Sequence, residues 1–238
     1  YGHNPSYLRS ASFKTELLEL STDLIETIEH AEYIILAIPS AYAEEVLGSL
    51  PKNIFEGKKI ISAIKGIIPG RNQLLNDYLK SEFEFDINDY YTIMGPCHAE
   101  EVASEKLSYL TFTGLHDKTA QWIADQFKNH YINTVINDDV YGVQFAAILK
   151  NIYALGSGIA HGLEYGDNFL SVLIANAADE MAGFLRKVGI RNIEVGVHKE
   201  PIPGVQLLKK SFSKSANYAA SVYMGDLLVT CYSMYSRN

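Results

Sequence analysis

Lys150 and Asn151 sit inside a run in which Tyr141, Phe145, Ile148, Ile152, Leu155 and Ile159 recur at spacings of four, three, four, three and four, the period of one face of a long helix. The two polar residues lie off that apolar stripe. Their side of the helix carries Ala146, Ala147, Ala154, Ser157, Gly158 and, a turn further on, His161. Small residues around one lysine, in a helix otherwise apolar nearly all round, describe an ammonium facing a cavity, because an unpaired buried ammonium is costly. A lysine desolvated in this way can have its pKa lowered toward neutrality and act as a general acid or base. The other reading is that Lys150 snorkels to water from the helix edge, and the residues alone leave both open.

Other reactive residue types fall at element ends. Lys65 follows the strand-like run Lys59-Ile60-Ile61-Ser62-Ala63, and Gly95-Pro96-Cys97-His98-Ala99 follows Tyr90 to Met94. In open α/β sheets, ligands bind beyond such carboxyl ends. Pro96 suits a first helical position, which leaves the backbone N–H groups around Cys97 to Ala99 for a ligand oxygen or a cofactor. Asp226 follows a glycine and precedes an apolar run, so by itself it reads as a helix cap. Arg237 offers the planar fork that suits a phosphate, with Ser236 and Asn238 as neutral donors beside it. His98 and His161 read as structural or cleft-lining. Cys97 and Cys231 lie far apart without the spacing of a zinc site, a reduced compartment fits both, and Cys97 reads as a packed thiol.

The elements that must hold these residues divide at about Asn137-Asp138. Before it, β-rich runs alternate with amphipathic ones. Strands are expected over Tyr33–Ile38, Lys59–Ala63, Tyr90–Met94, Ser108–Thr113 and Tyr131–Val135, with helices over Ala41–Leu50, Asn72–Lys80 and Lys118–Lys128. This is the pattern of a mostly parallel sheet built by helical crossovers. After the boundary strands disappear. A long helix over Asp138–Ile159 is followed by a second from about Asp167, read as its N-cap, to about Arg186. Residues 1–137 are therefore expected to form a Rossmann-like sheet domain and 138–238 an all-helical domain. From Gly189 to Ala220 no period is sustained, and Pro201, Pro203, Lys209, Lys210 and Lys214 suggest a loop with a solvated basic surface.

At 238 residues and 47% hydrophobic composition, the chain is long enough and apolar enough to build a sizeable core. The net charge of -8 argues against nucleic-acid or anionic-membrane binding, both of which need a basic face. The apolar runs, such as Ile34 to Pro39, fall far short of the ~20 residues that cross a bilayer.

The stretch Leu149-Lys150-Asn151 through Gly156-Ser157-Gly158 to Gly162-Leu163 resembles the LKN…AGxxxGL helix of bacterial NAD(P)-dependent glycerol-3-phosphate dehydrogenases, and Gly166-Asp167-Asn168 continue the likeness. Lys65-Gly66 resembles the family's Lys-Gly pair after a strand. Gly95 to Ala103 is similar to its GP(S/T)xAxEVA segment, with Cys97 in place of the usual Ser or Thr. Gly225-Asp226-Leu227-Leu228-Val229-Thr230-Cys231 with Ser236-Arg237-Asn238 resembles GDLxxTC…SRN. Ile38-Pro39-Ser40 and the Asn-x-x-Tyr-Leu run at Asn4 to Leu8 add to it. The order is the family's, and the likeness covers nearly the whole chain outside 189–220.

The resemblance implies hydride transfer between NAD or NADP and the C2 carbon of glycerol 3-phosphate or dihydroxyacetone phosphate, which supplies phospholipid precursor from the cytoplasm. Catalytic roles are implied for Lys150, Lys65 and Asp226. Substrate contacts are implied for Gly95, Cys97, Asn151, Ser236, Arg237 and Asn238 as well, and cofactor contacts for Pro39, Lys65, Ala99 and Arg237. The partner is a small phosphorylated three-carbon molecule, and a homodimer is usual in the family. The GxGxxG turn of a dinucleotide fold does not occur in this sequence. The first βαβ unit and the closing helices are accordingly expected to be missing, with weak cofactor binding as the consequence. Two alternatives remain: another β-hydroxyacid-type dehydrogenase of the same superfamily, and a non-catalytic remnant of the fold.

Overall fold

The computed structural model describes residues 2–4, 6–8, 11–190 and 220–232. The chain forms two compact units, Tyr1–Val140 and Tyr141–Asn238.

The first unit is built on five strands, β1 (Tyr33–Leu36), β2 (Lys59–Ser62), β3 (Tyr90–Met94), β4 (Ser108–Thr113) and β5 (Ile132–Asn137), which lie side by side in chain order. Its helices are α1 (Leu24–His30), α2 (Ser40–Leu47), α3 (Leu75–Phe83), α4 (Ala99–Ala103) and α5 (Asp117–Phe127). Successive strand residues point to opposite faces. Ile60 and Tyr90 therefore join Ala43, Leu47, Leu75, Tyr78 and Leu79 in one core, while their neighbours Ile61 and Tyr91 join Phe112, Ala120, Ile123 and Ala124 in another. The start of α1 is fixed by Asp23, whose carboxylate accepts from the Glu26 N–H at 3.0 Å, an N-cap of the ordinary kind.

The sheet is mostly parallel, as expected, with one exception: β3 and β4 run antiparallel. The chain thus enters β4 from the carboxyl end of β3. Thr92 of β3 and Thr113 of β4 close the pair with a buried hydroxyl–hydroxyl hydrogen bond of 2.6 Å.

The second unit holds α6 (Val140–Gly162), α7 (Gly166–Lys187) and α8 (Asp226–Tyr232), the last preceded by a π-helical turn over Ala220–Gly225. Helices α6 and α7 form an antiparallel hairpin, in which Phe145 near the start of the first meets Phe184 near the end of the second, with ring centroids 5.5 Å apart. The hairpin turns through left-handed residues Glu164 and Gly166. Asp167 does not cap α7. The cap position is Tyr165, with no side-chain bond, and Asp167 lies in the first turn, where a negative charge still complements the helix dipole. The expected loop over 189–220 lies, apart from its two ends, outside the described residues.

The apolar stripe of α6 is covered in part, with Phe145 and Ile148 half-buried. Tyr141, Ile152, Leu155 and Ile159 are 39%, 59%, 56% and 57% exposed, whereas Val143, Ala146, Ala147, Lys150, Ala154, Ser157 and Ala160 are buried. Among the described residues, no helix is long and apolar enough to cross a membrane.

Candidate active site

In the first unit, the parallel order of β1, β2 and β3 brings their carboxyl ends to one edge of the sheet. Pro39, Lys65 and the segment from Gly95 to Ala99 follow those ends directly. Pro39, Lys65 and Ala99 are exposed, Cys97 is half-buried, and Gly95 is buried. The loops behind this edge are packed closely. A methyl group at Gly66 would stand 2.3 Å from the Ser40 hydroxyl oxygen, so the Lys65-Gly66 turn rests on the start of α2. The Ser62 hydroxyl accepts from the Ile64 N–H at 3.2 Å and shapes the same turn. Gly95 has φ +137°, and a Cβ there would meet the Tyr109 carbonyl oxygen at 2.7 Å. Only glycine suits that place.

The expected helical start at Pro96 is not found. Helix α4 begins at Ala99 with His98 in the cap position, because Gly95 and Pro96 are spent on the turn into β4, where the Pro96 carbonyl accepts from the Tyr109 N–H at 3.3 Å. The Asn4 to Leu8 run has a local logic of its own. The Asn4 side-chain oxygen accepts from the N–H groups of Ser6 and Tyr7 at 2.9 and 3.0 Å, and the turn so formed presents the Tyr7 hydroxyl to the Glu100 carboxylate at the start of α4.

In the second unit, Lys150 of α6 meets Asp226, the first residue of α8, in a direct hydrogen-bonded ion pair. The side chains are 5% and 4% exposed. Lys150 therefore does not snorkel, and Asp226 spends its carboxylate on the ammonium rather than on a helix cap. An ionised pair removed from water in this way holds only because each charge is the other's partner. The Thr230 hydroxyl, also buried, donates to the Asp226 carbonyl at 2.6 Å. Asn151, half-buried, gives an amide N–H to the Ala147 carbonyl at 3.2 Å. Burial pushes the Cys231 thiol up from its ordinary pKa, and the Ser157 hydroxyl and the Lys150 charge partly offset that push.

Of the residues singled out in the sequence, Lys150 and Asp226 are brought into contact, and Pro39, Lys65, Gly95, Cys97 and Ala99 share one sheet edge. Ser236, Arg237 and Asn238 lie outside the described residues. Thr230 went unread, although it stands four residues after Asp226 and so on the same side of α8. Among the described residues, no group of three His, Cys, Asp or Glu side chains is placed to hold a metal.

Comparison with known proteins supplies the context. The NAD-dependent glycerol-3-phosphate dehydrogenase N-terminus matches residues 2–120, and the C-terminus of the same family matches 139–238. The protein named glycerol-3-phosphate dehydrogenase (NAD(P)+) in Bacillus cytotoxicus is 31% identical over 236 residues, which make up 99% of this chain and 62% of that protein. Its namesake in Bacillus thuringiensis is 30% identical over the same shares. The chain thus spans 62% of the length of these curated relatives. Among solved structures, glycerol-3-phosphate dehydrogenase from Coxiella burnetii superposes with a TM-score of 0.80 at 24% identity, over 99% of this chain and 64% of its own, which shows a common fold. The Plasmodium falciparum glycerol-3-phosphate dehydrogenase gives 0.69 at 26% identity, over 78% and 52%. With the sheet edge inside the first matched region and the buried Lys150–Asp226 pair inside the second, this chain belongs to the NAD-dependent glycerol-3-phosphate dehydrogenase family.

Proposed function

We propose that the protein interconverts sn-glycerol 3-phosphate and dihydroxyacetone phosphate, with Lys150 as the residue that moves the proton on the C2 oxygen. The observation that carries this reading is the buried Lys150–Asp226 pair. Lys has three N–H groups, so an ammonium paired with a carboxylate in a water-poor setting can also donate to a substrate oxygen. Lys150 gives its proton to the C2 oxygen when the ketone is reduced and takes it back when the alcohol is oxidised. Asp226 holds Lys150 in place for both directions, with the Asn151 amide as a neutral neighbour for the substrate hydroxyl. Ser236, Arg237 and Asn238 carry the phosphate end.

The first unit is the dinucleotide-binding domain and the second the substrate domain, divided near 137–138. The chemistry of the sheet edge fits the nicotinamide end of NAD or NADP: exposed Pro39 and Ala99 offer short apolar contacts, and exposed Lys65 offers positive charge for cofactor and substrate. The dinucleotide supplies or accepts the hydride at C2. Gly95 and Cys97 border the same edge, with Cys97 a weaker donor than a hydroxyl. The protein works in the cytoplasm as a homodimer and furnishes phospholipid precursor.

The test is oxidation of NADH and of NADPH in the presence of dihydroxyacetone phosphate by the protein and its Lys150→Ala variant. Turnover that falls about 100-fold or more in the variant is expected for a lost general acid. A wild-type protein silent with both cofactors would refute the activity. Turnover that survives in the variant would remove Lys150 from its centre.

A further inference from the structure

Helices α6 and α7 run side by side, and each buries one flank: α6 the row that carries Lys150, α7 the row through Leu170, Ile174, Met181 and Leu185. The opposite flanks form one surface at the turn end of the hairpin. On it lie Ile152, Leu155, Ile159 and Leu163 of α6, 56–59% exposed, with Phe169 and Val172 of α7 at 46% and 59%. Spacings of three, four and four place the first four on a single face. The exposed Tyr165 ring packs on Phe169 with centroids 5.0 Å apart and carries the patch across the turn. At roughly 100 Å² apiece, half of what a large side chain shows in full, these residues expose roughly 700 Å² of apolar surface. That exceeds the about 300–600 Å² of the largest such patch on an ordinary monomer and approaches the about 800 Å² that one partner brings to a stable interface. Gly156 lies on the same flank between Ile152 and Ile159, and a Cβ there would meet nothing within 4 Å. Glycine inside a helix weakens it relative to alanine, and no described residue needs the room it leaves; a backbone approaching from outside does.

We propose that this outer face of the α6–α7 hairpin is where a second copy of the chain docks, flank against flank across a two-fold axis. The inference rests on the homodimer proposed above and names its interface. Two observations select a second copy over another kind of partner. The first is the area, which matches one side of a stable dimer. The second is charge. No Asp, Glu, Lys or Arg occurs from Asn151 to Leu163 or from Asn168 to Ala178. In a two-fold interface a patch meets itself, so any charge near the axis would face its like. A chain of net charge -8 can therefore associate with itself only through a face from which charge is absent, whereas a partner that recognised so acidic a chain by its charge would find nothing here to pair with.

Sedimentation velocity at about 1–100 µM reads the monomer–dimer equilibrium in the wild type, in Leu155→Ala and Leu155→Glu, and in Ile35→Glu as a control on β1 of the first unit, where Ile35 is 50% exposed. Leu155→Ala should raise the dissociation constant about 25-fold or more, since a truncation worth about fivefold occurs once in each copy. Leu155→Glu, which brings two carboxylates together at the axis, should be a monomer throughout, and Ile35→Glu should dimerise as the wild type does. A Leu155→Cys variant keeps the test independent of how the charged variant folds. Its maleimide labelling, followed at that residue by mass spectrometry, should be at least about fivefold slower at 100 µM than at 1 µM, because the cover is a second copy and leaves by mass action. A labelling rate that is slow at both concentrations would show the face covered by its own chain, and a rate that is fast at both would show it uncovered; each overturns the proposal. A wild type that is monomeric at 100 µM removes the homodimer itself. A dimer that survives in Leu155→Glu keeps the homodimer and overturns only the interface named here. No arm needs turnover, so a protein silent with NADH and NADPH is read separately from all of them.

Discussion

Removal of one member of the buried pair should cost far more than removal of both. In Asp226→Ala the ammonium of Lys150, whose side chain is 5% exposed, is left without its carboxylate in a site closed to water. Truncation of one partner of a buried ion pair costs about 3–5 kcal/mol. An exposed pair is worth only about 0.2–1 kcal/mol. For a chain of this length, about 2–4 °C of melting temperature accompanies each kcal/mol, so Asp226→Ala should melt roughly 6–20 °C below the wild type. Lys150→Met/Asp226→Leu removes both charges and replaces them with apolar groups of similar volume, and should return to within about 2 kcal/mol of the wild type. Urea unfolding followed by far-ultraviolet circular dichroism measures all three proteins, with the midpoint of Asp226→Ala displaced by about 1 M or more at ordinary slopes. A loss below about 1 kcal/mol in Asp226→Ala would refute the reasoning, since the pair would then behave as a solvated one. A double variant as unstable as the single would also refute it, because the cost would lie in packing and not in an orphaned charge.

Gly95→Ala should destabilise the protein by about 1–3 kcal/mol from backbone strain alone, and by more through the 2.7 Å approach to the Tyr109 carbonyl; Gly57→Ala, at φ +70° with nothing within 4 Å, should cost only about 1–2 kcal/mol, and equal losses at the two sites would count against the close approach. Gly66→Ala should disturb the turn that carries Lys65, and Ser40→Gly in the same chain should recover part of the loss by removing the hydroxyl that lies 2.3 Å from the added methyl; absence of any recovery in thermal melts would show that the clash lies elsewhere. Burial raises the pKa of Cys231, Tyr78, Tyr91 and Tyr153, so the folded chain keeps these protons after the unfolded chain has begun to lose them. Their contribution is complete below the ordinary thiol and phenol ranges, about pH 8.5 and 10, and is lost as pH rises through the raised values. Melting temperatures taken from pH 7 to 11 should therefore fall, less steeply in Tyr78→Phe, and a flat profile would contradict the assignment.

The order of strands and helices was legible because its signals are local. Tyr90–Met94 and Ser108–Thr113 are found with the bounds expected, since each is a β-rich run ended by turn residues. Parallel or antiparallel pairing of β3 with β4 was not legible in the same way, because strand direction is set by tertiary packing and leaves no local signal. The helical start at Pro96 misled for a related reason: proline is at home in a first turn and also in a tight connection, and Gly95 decides for the second through its approach to Tyr109.

Helix α6 shows how far periodicity reaches. The spacing from Tyr141 to Ile159 marks one face correctly but says nothing of what the other side of the helix does. What turns inward is the row Ala146, Ala147, Lys150, Ala154, Ser157 and Ala160. A row of small residues lets neighbouring groups come close to the helix surface, and a long lysine stem placed in such a row has length to spare, so its ammonium reaches past its neighbours to a carboxylate on another element. The same row of large side chains would have buried more apolar area and left Asp226 unable to reach Lys150. The alanines beside Lys150 are thus part of the site, although none of them has chemistry of its own.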